Sequence, residues 1–430
     1  MKKFICITLV LTVSIFSASS EFVYAKENID KNTVKNNKDI VNTKAECAKS
    51  TSFVELDINN VRAGLLNGGD MWWDLTCCAK YEIPKDSGLH SLFAGAIWMG
   101  GITPGNQLLV TAQKYRQGNI YSYWPGPLDS FGLTGADTCL AWDRHFKINK
   151  VTIDDFRNKY QQGQITSAND IADEVKFWPG KNNPYLLTSD PNFGSSLNNN
   201  LAPFIDVNGD ADYDPLTGDY PDILGHQAIW WVMNDAGGTK ILDGSTTETP
   251  IGLEMQVMAF AFATNDLINN MTFYKQKLIN KGNNILNSTY IGQWVDPDLG
   301  NFDDDFVGCD VSRGLGICYN GDNFDEDSLG GYGANPPVIA IKFCEGPLAD
   351  ANDSIDNDRD GVVDEAGEQI IMSNFLYYNN NNNITNGIPI NAQDFYNYLR
   401  NRWKTGADVT YDGADGTDQA FPPCKFVFPD

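Results

Sequence analysis

IGLEMQVMAFAFATNDLINNMTFYKQKLIN, residues 251–280, decides the fold class. Leu253, Met255 and Val257 alternate with Glu254 and Gln256, which is the two-residue period of a half-buried strand, and 259–263 then turns apolar on both sides. A second run of strand length, 271–280, follows, and the two together read as antiparallel strands of a sandwich. Similar short apolar runs recur at 52–58, 91–99, 107–113, 228–233 and 285–295. Turn signals divide them, among them Asn67-Gly68-Gly69, Gly100-Gly101, Asn208-Gly209 and Lys281-Gly282-Asn283. The expected architecture is mainly β: an antiparallel β-sandwich-like core with a few short helical insertions and long calcium-type loops.

The helices are few. Thr152-Ile153-Asp154-Asp155 has the form of a capping box, with Ile153, Phe156 and Tyr160 on one face. A second short candidate covers 167–177, and a third covers 391–404, where Phe395, Leu399 and Trp403 recur every four residues. These spacings read as packing elements rather than cofactor boxes. No repeat of solenoid or propeller length is present.

The chain begins with Lys2 and Lys3, an apolar run over 4–16, and small and polar residues leading to Val23-Tyr24-Ala25. A basic start, a short apolar stretch and a small residue at the cut make a secretory signal peptide over 1–25, too short for a membrane span. Residues 26–50 are rich in Lys, Asn and Asp and lack aromatics, the composition of a disordered leader, so order is expected from about Ser52. Beyond it the chain divides into an N-terminal β-rich region with short helices, 51–200, and a sandwich-like region with acidic loops, 201–430. The formal charge is −25, and loss of Lys2, Lys3 and Glu21 with the leader makes it −26. Such a charge excludes nucleic acid and an anionic membrane as partners and fits neutralisation by divalent cations. No membrane insertion of the mature chain is expected. Removing Cys6 with the leader leaves Cys47, Cys77, Cys78, Cys139, Cys309, Cys318, Cys344 and Cys424. An even count in an exported chain implies disulfides, with Cys309 and Cys318 close enough to staple one hairpin. A zinc site has little support, since there is no C-x-x-C pair and the chain has 3 histidines.

The most specific local pattern is Asp356-Asn357-Asp358-Arg359-Asp360-Gly361-Val362-Val363-Asp364. Asp356, Asp358, Asp360 and Asp364 stand at positions 1, 3, 5 and 9 with Gly361 at 6, the spacing that wraps a loop around one calcium ion. Position 12, where an EF-hand carries a bidentate glutamate, is Gly367, with Glu365 and Glu368 nearby. The loop is closer to the calcium loops of thrombospondin type 3 repeats. A sister loop carries Asp206, Asn208, Asp210, Asp212 and Asp214 at positions 1, 3, 5, 7 and 9. Ala211 takes the place of the glycine at 6, so Gly209 is a candidate to move the turn one residue earlier, and Asp219 and Asp222 are close enough to complete the shell. Calcium is the cofactor these spacings call for.

A third acidic stretch, WVDPDLGNFDDDFVGCDVSRGLGICYN at 294–320, has no such register. Asp296, Asp298, Asp303, Asp304, Asp305 and Asp310 there allow a structural metal or hydrogen-bonded turn, a solvated loop, or a catalytic pair of the kind that hydrolyses glycosidic bonds beside Trp294. The turn is preferred, and no catalytic residue is assigned. The chain has no H-E-x-x-H, G-x-S-x-G or G-x-x-x-x-G-K-[ST]. His90, His145 and His226 read as structural histidines, and Trp72-Trp73, Trp124 and Trp230-Trp231 as core.

Several long strings in one order resemble a family of large, mostly uncharacterised extracellular proteins of Bacteroidota, cargo of the type IX secretion system. They are Asn60-Val61-Arg62-Ala63 with Gly68-Gly69-Asp70, Phe93-Ala94-Gly95-Ala96-Ile97-Trp98-Met99-Gly100-Gly101, Tyr123-Trp124-Pro125-Gly126-Pro127, Phe204-Ile205-Asp206-Val207-Asn208-Gly209-Asp210 and the stretch 294–320. The resemblance spans nearly all of 52–430 and implies export and a β-rich module on or outside the cell surface. It carries no catalytic residues. Family members usually end in a C-terminal sorting domain, and a chain stopping at Phe428-Pro429-Asp430 is expected to be a fragment or a shortened member. The expected function is a calcium-stabilised structural, adhesion or binding protein whose partner is an extracellular glycan or a surface protein. A secreted glycan-active enzyme or carbohydrate-binding module using the 296–310 aspartates is the alternative.

Overall fold

The computed structural model describes residues 11–13, 46–116, 120–243, 247–326, 330–350 and 352–429. The expected signal-peptide cut and most of the expected leader fall outside these residues. Leu11–Val13 is described as a backbone strand parallel to Tyr274–Gln276.

The main strands, in chain order, are β1 (Phe53–Leu56), β2 (Arg62–Leu66), β3 (Ala94–Ile102), β4 (Leu108–Thr111), β5 (Phe146–Asn149), β6 (Gln227–Asn234), β7 (Leu253–Ala261), β8 (Phe273–Asn280), β9 (Asn287–Asp296), β10 (Asp305–Asp310), β11 (Leu315–Asn320) and β12 (Val338–Lys342). In the first sheet β8, β7 and β6 lie side by side, antiparallel, with β5 along the far edge of β6. The second sheet holds β9-β3-β4 and, through bridges from Leu65 to Met71 and from Met71 to Gly95, β1-β2. β5 pairs with β6 and β3 with β9, so the core runs across residue 200 without a break.

Strand parity assigns the two faces. Leu253, Met255, Val257 and Ala259 of β7 point toward the second sheet, where Leu65, Ile97 and Met99 meet them. Trp72 spans the gap: its indole N–H donates to Tyr274 OH at 2.9 Å, and its ring stands edge-on to Tyr81. Gly95 is required beneath it, because a Cβ there would lie 2.4 Å from the Trp72 ring.

The other parity of β7 is buried too, which corrects the half-buried reading. Glu254 and Gln256 are 1% and 6% exposed. A layer of helices that the local period could not reveal covers this face. Trp142, Ile153, Phe156 and Trp178 pack on Trp230, Met258 and Phe260. Glu254 is satisfied within that layer, accepting the Leu128 N–H at 2.9 Å and the Gln256 side-chain amide at 2.8 Å. On the far side of the second sheet, the helix Ala392–Leu399 lies over Trp98 and Trp294, so the molecule has four layers.

The helices begin and end where backbone hydrogen bonding dictates. α1 (Ala136–Trp142) and α2 (Lys150–Gln161) belong to the first outer layer. α2 starts at Lys150, directly after β5, and its N-cap is Asn149; the expected capping box at Thr152 does not form. The expected helix over 167–177 is split: Ser167 and Asp170 build a real capping box around a short turn, Ile171 is extended, and Asp173–Lys176 resumes. α3 (Ala392–Leu399) is capped by Asn391, whose side-chain oxygen accepts the Asp394 N–H at 3.0 Å, and Trp403 lies beyond its end, fully buried.

Order begins earlier than Ser52. Cys47 is buried and bonded to Cys139 of α1, and the Asp143 carboxylate accepts hydrogen bonds from Ser50, Thr51 and Ser52. The expected Cys309–Cys318 bond is absent. The β10–β11 register sets Cys309 opposite Gly316 and Cys318 opposite Val307, a diagonal about 7–8 Å apart at Cα, too long for a disulfide. Cys77 is bonded to Cys78 instead. The tryptophans expected in the core are there, all at most 3% exposed. His145 and His226 are structural: His145 Nδ1 is 2.8 Å from Ser52 Oγ, and His226 Nδ1 accepts the Ala263 N–H at 3.0 Å. No helix among the described residues is long and apolar enough to cross a membrane.

Candidate functional site

The two calcium-type loops share one backbone. In 356–364, the Asp356 carboxylate accepts the N–H of Gly361 at 3.0 Å, Asp358 that of Asp360 at 3.1 Å, and Asp360 that of Val362 at 2.8 Å. In 206–214, Asp206 accepts from Ala211 at 2.8 Å, Asn208 from Asp210 at 3.1 Å, and Asp210 from Asp212 at 2.9 Å. Positions 1, 3 and 5 therefore bind the N–H of positions 6, 5 and 7 in both. Positive φ falls at the same places: Arg359 (60°) and Gly361 (97°) in one, Gly209 (79°) and Ala211 (67°) in the other. The turn is not moved to Gly209; Ala211 takes the left-handed conformation itself. In 356–364 the second oxygen of Asp356 is left without a partner, whereas in 206–214 the second oxygen of Asp206 accepts the Gly209 N–H at 2.6 Å and that of Asp210 the Asn208 side-chain amide at 2.7 Å.

The convergence is tightest in 356–368. Oxygens of Asp356, Asp358 and Asp360 lie within 4.8 Å of one another, and so do those of Asp358, Glu365 and Glu368. Asp356 Oδ1 and Glu365 Oε2 are buried atoms with no hydrogen-bond partner, a costly condition for anionic oxygens unless a cation meets them. Glu365 has its own backbone N–H drawing its carboxyl down, yet burial and the charges of Glu368, Asp358 and Asp360 raise it on balance. Asp364 turns elsewhere, accepting the Asp353 N–H at 2.8 Å and that of Ser354. Glu365 and Glu368 thus stand where Asp364 was expected. Their nearness was visible in the sequence, but not which of the three carboxylates the chain would turn inward.

In 206–214 the nearest equivalent is Asp219, fully buried, its two oxygens accepting the N–H of Val207 at 2.8 Å and of Asp214 at 2.9 Å. Burial pushes its carboxyl up, and the charges of Asp206 and Asp210 add to the push. Asp212 faces outward to Asn182 at 2.7 Å and Lys181 at 3.3 Å, and Asp214 caps the turn Pro215–Thr217 through the Leu216 N–H. Tyr213 anchors the loop to the helical layer, its OH donating to Val175 O at 2.5 Å.

The stretch 294–320 is not one feature. Asp296, Asp298 and Asp305 line a cleft of about 2530 Å³ between β9, the β10–β11–β12 sheet and the segment around Tyr378. Trp294 stacks on Trp98 behind them, with centroids 5.9 Å apart, and Tyr115 donates its OH to Asp296. Burial raises the Asp296 carboxyl against that bond. Burial and the charge of Asp296 push Asp298 up to about 7. Asp305 also reaches about 7 through burial and the charges of Asp298 and Asp325, although it accepts the Leu299 N–H at 2.8 Å. Burial, together with Asp305 beside it, pushes the Cys318 thiol well up. The other aspartates do different work. Asp303 is exposed, Asp304 gathers with Asp325 and Glu326, and Asp310 closes the hairpin turn, held down to about 2 by Ser312 and Arg313. Tyr115 gave no signal in the sequence, since it comes from a different strand connection about 180 residues upstream. Comparison with protein-family models, characterised proteins and solved structures returned no match.

Proposed function

We propose that the chain is an extracellular, calcium-stabilised β-sandwich protein of binding or adhesive function, exported as type IX secretion cargo of a Bacteroidota. The observation that carries the reading is the backbone the two loops share, together with the converging anionic oxygens of 356–368, two of them without hydrogen-bond partners. The proposed ligands are Asp206, Asn208 and Asp210 with Asp219 in one loop, and Asp356, Asp358 and Asp360 with Glu365 and Glu368 in the other. A formal charge of −25 supports the same conclusion, because calcium relieves local repulsion that protonation would otherwise have to relieve. Equilibrium dialysis with calcium tests it. Saturable uptake is expected, with Asp206→Asn and Asp356→Asn each weakening one component by roughly tenfold. Uptake that neither variant alters would refute the assignment. A glycan and surface-protein binding screen, run with and without calcium, then identifies the partner.

A second reading is favoured by one observation: Asp298 and Asp305, each holding a proton up to about pH 7, face a cleft beside Asp296 and Trp294. Glycoside hydrolysis uses two carboxyl groups, one holding a proton for the leaving oxygen and one ionised as base or nucleophile, and a pair that shares a proton near pH 7 supplies both. Hydrolysis of a panel of neutral oligosaccharides should then peak near pH 7, falling above it as the acid loses its proton and below it as the partner carboxylate gains one, and Asp298→Asn or Asp305→Asn should lower turnover by at least about a hundredfold. Absence of turnover on the whole panel from pH 5 to pH 8 would remove this reading and leave the first intact.

A further inference from the structure

We propose that Asp74, Cys77 and Cys78 form a redox-gated site for a thiophilic divalent cation of the zinc class, closed while the two sulfurs are bonded to each other and opened by a dithiol. The site lies at the tip of a loop whose ends, Trp73 and Ala79, are bridged. Both cysteines are exposed, so reductant and metal can reach them.

The two disulfides differ in what they can do for stability. Cys47–Cys139 closes a stretch with a sequence separation of 92, and such a crosslink removes much chain entropy from the unfolded state. Cys77–Cys78 joins neighbours and removes almost none. Nor does the loop need it for its shape. Asp74 Oδ1 accepts the N–H of Thr76 at 2.9 Å and of Cys77 and Cys78 at 3.0 Å each, and the Asp74 N–H donates to Cys78 O at 3.1 Å. Those bonds remain when the sulfurs part.

With the sulfurs bonded, the donor atoms of Asp74, Cys77 and Cys78 lie within 4.8 Å of one another, so opening leaves two thiols beside the carboxylate. Lys80, with Nζ 3.6 Å from Asp74 Oδ2, has a side chain exposed enough to swing away and leave that oxygen to the metal. Two sulfurs and one oxygen suit zinc or its congeners and not calcium, which takes oxygen alone. In the gating step a thiolate of the dithiol attacks one sulfur and releases the other. The dithiol's second sulfur then displaces the first, leaving its own cyclic disulfide and two protein thiols. Metal entry sends both thiol protons to solvent, with water as the fourth ligand.

The test uses the full chain in saturating calcium, so that the acidic loops are occupied. Protein is treated with dithiothreitol, freed of it and dialysed against micromolar zinc, and bound zinc is measured beside untreated protein and a C77S/C78S variant handled identically. Treated wild type should hold about one more zinc per chain than either. Asp74→Asn, which keeps an oxygen for the three N–H groups, should weaken that site roughly tenfold. Cobalt added to treated wild type should give a sulfur-to-cobalt charge-transfer band that the double variant lacks, a readout that stands even if the variant folds poorly. Equal zinc in wild type and variant, no cobalt band, or failure of dithiothreitol to make Cys77 and Cys78 alkylatable would each overturn the proposal.

Discussion

Ala211 and Gly361 occupy the same position of the two acidic loops and pay differently for it. A left-handed alanine costs about 1 kcal/mol relative to glycine, and Ala211 sits at φ 67°. Nothing lies within 4 Å of the Cβ position at Gly361, so the demand there is conformational and not steric. Ala211→Gly should therefore stabilise the protein by about 0.5–1 kcal/mol, and Gly361→Ala should destabilise it by a similar or larger amount. Urea denaturation in calcium measures both; a destabilised Ala211→Gly would mean that the left-handed turn is not under strain. A residue-level reading from spacing found positions 1, 3 and 5 of both loops. It misjudged Ala211 because a unique alternative, Gly209, lay two residues away, and the fold uses both.

At the level of elements, the strands are set by parity and by what covers them. The period of Leu253, Met255 and Val257 located β7 and its inward face, and the runs at 228–233, 271–280 and 285–295 each became a strand to within two residues. What covers Glu254 and Gln256 was not legible, because Leu128 and Asn200 reach them from connections more than fifty residues away. The same limit explains Cys309 and Cys318: nine residues apart they look like a staple, and only the register of β10 on β11 separates them. Cys47–Cys139 is the crosslink that matters to the fold, tying residues 46–50 to α1 and, through the Cys47 N–H, to Gly237 O at 2.8 Å. Its loss in a C47S/C139S variant should cost about 4 kcal/mol by loop closure, whereas C77S/C78S should cost less than about 1 kcal/mol. Chemical denaturation of the two variants side by side decides the point, and equal losses would contradict it.

For the molecule as a whole, the packed layers make the frame, and the two acidic loops 206–214 and 356–364 are largely exposed on it. The inner sandwich is largely apolar, with Trp72, Tyr81, Met255 and Tyr274 each no more than 1% exposed. The loops are another matter. At 356–368 five carboxylates come together, and without a cation their repulsion subtracts from stability. Calcium at about a hundred times its dissociation constant adds about 2.7 kcal/mol per site, so two sites should raise the melting temperature by on the order of 5 °C in a chain of this size. Scanning calorimetry of the purified chain, once in millimolar calcium and once in chelator at matched ionic strength, tests this most directly. The expected result is a higher melting temperature in calcium, with the gain reduced in Asp356→Asn and in Asp206→Asn. Superimposable transitions in calcium and chelator would contradict it.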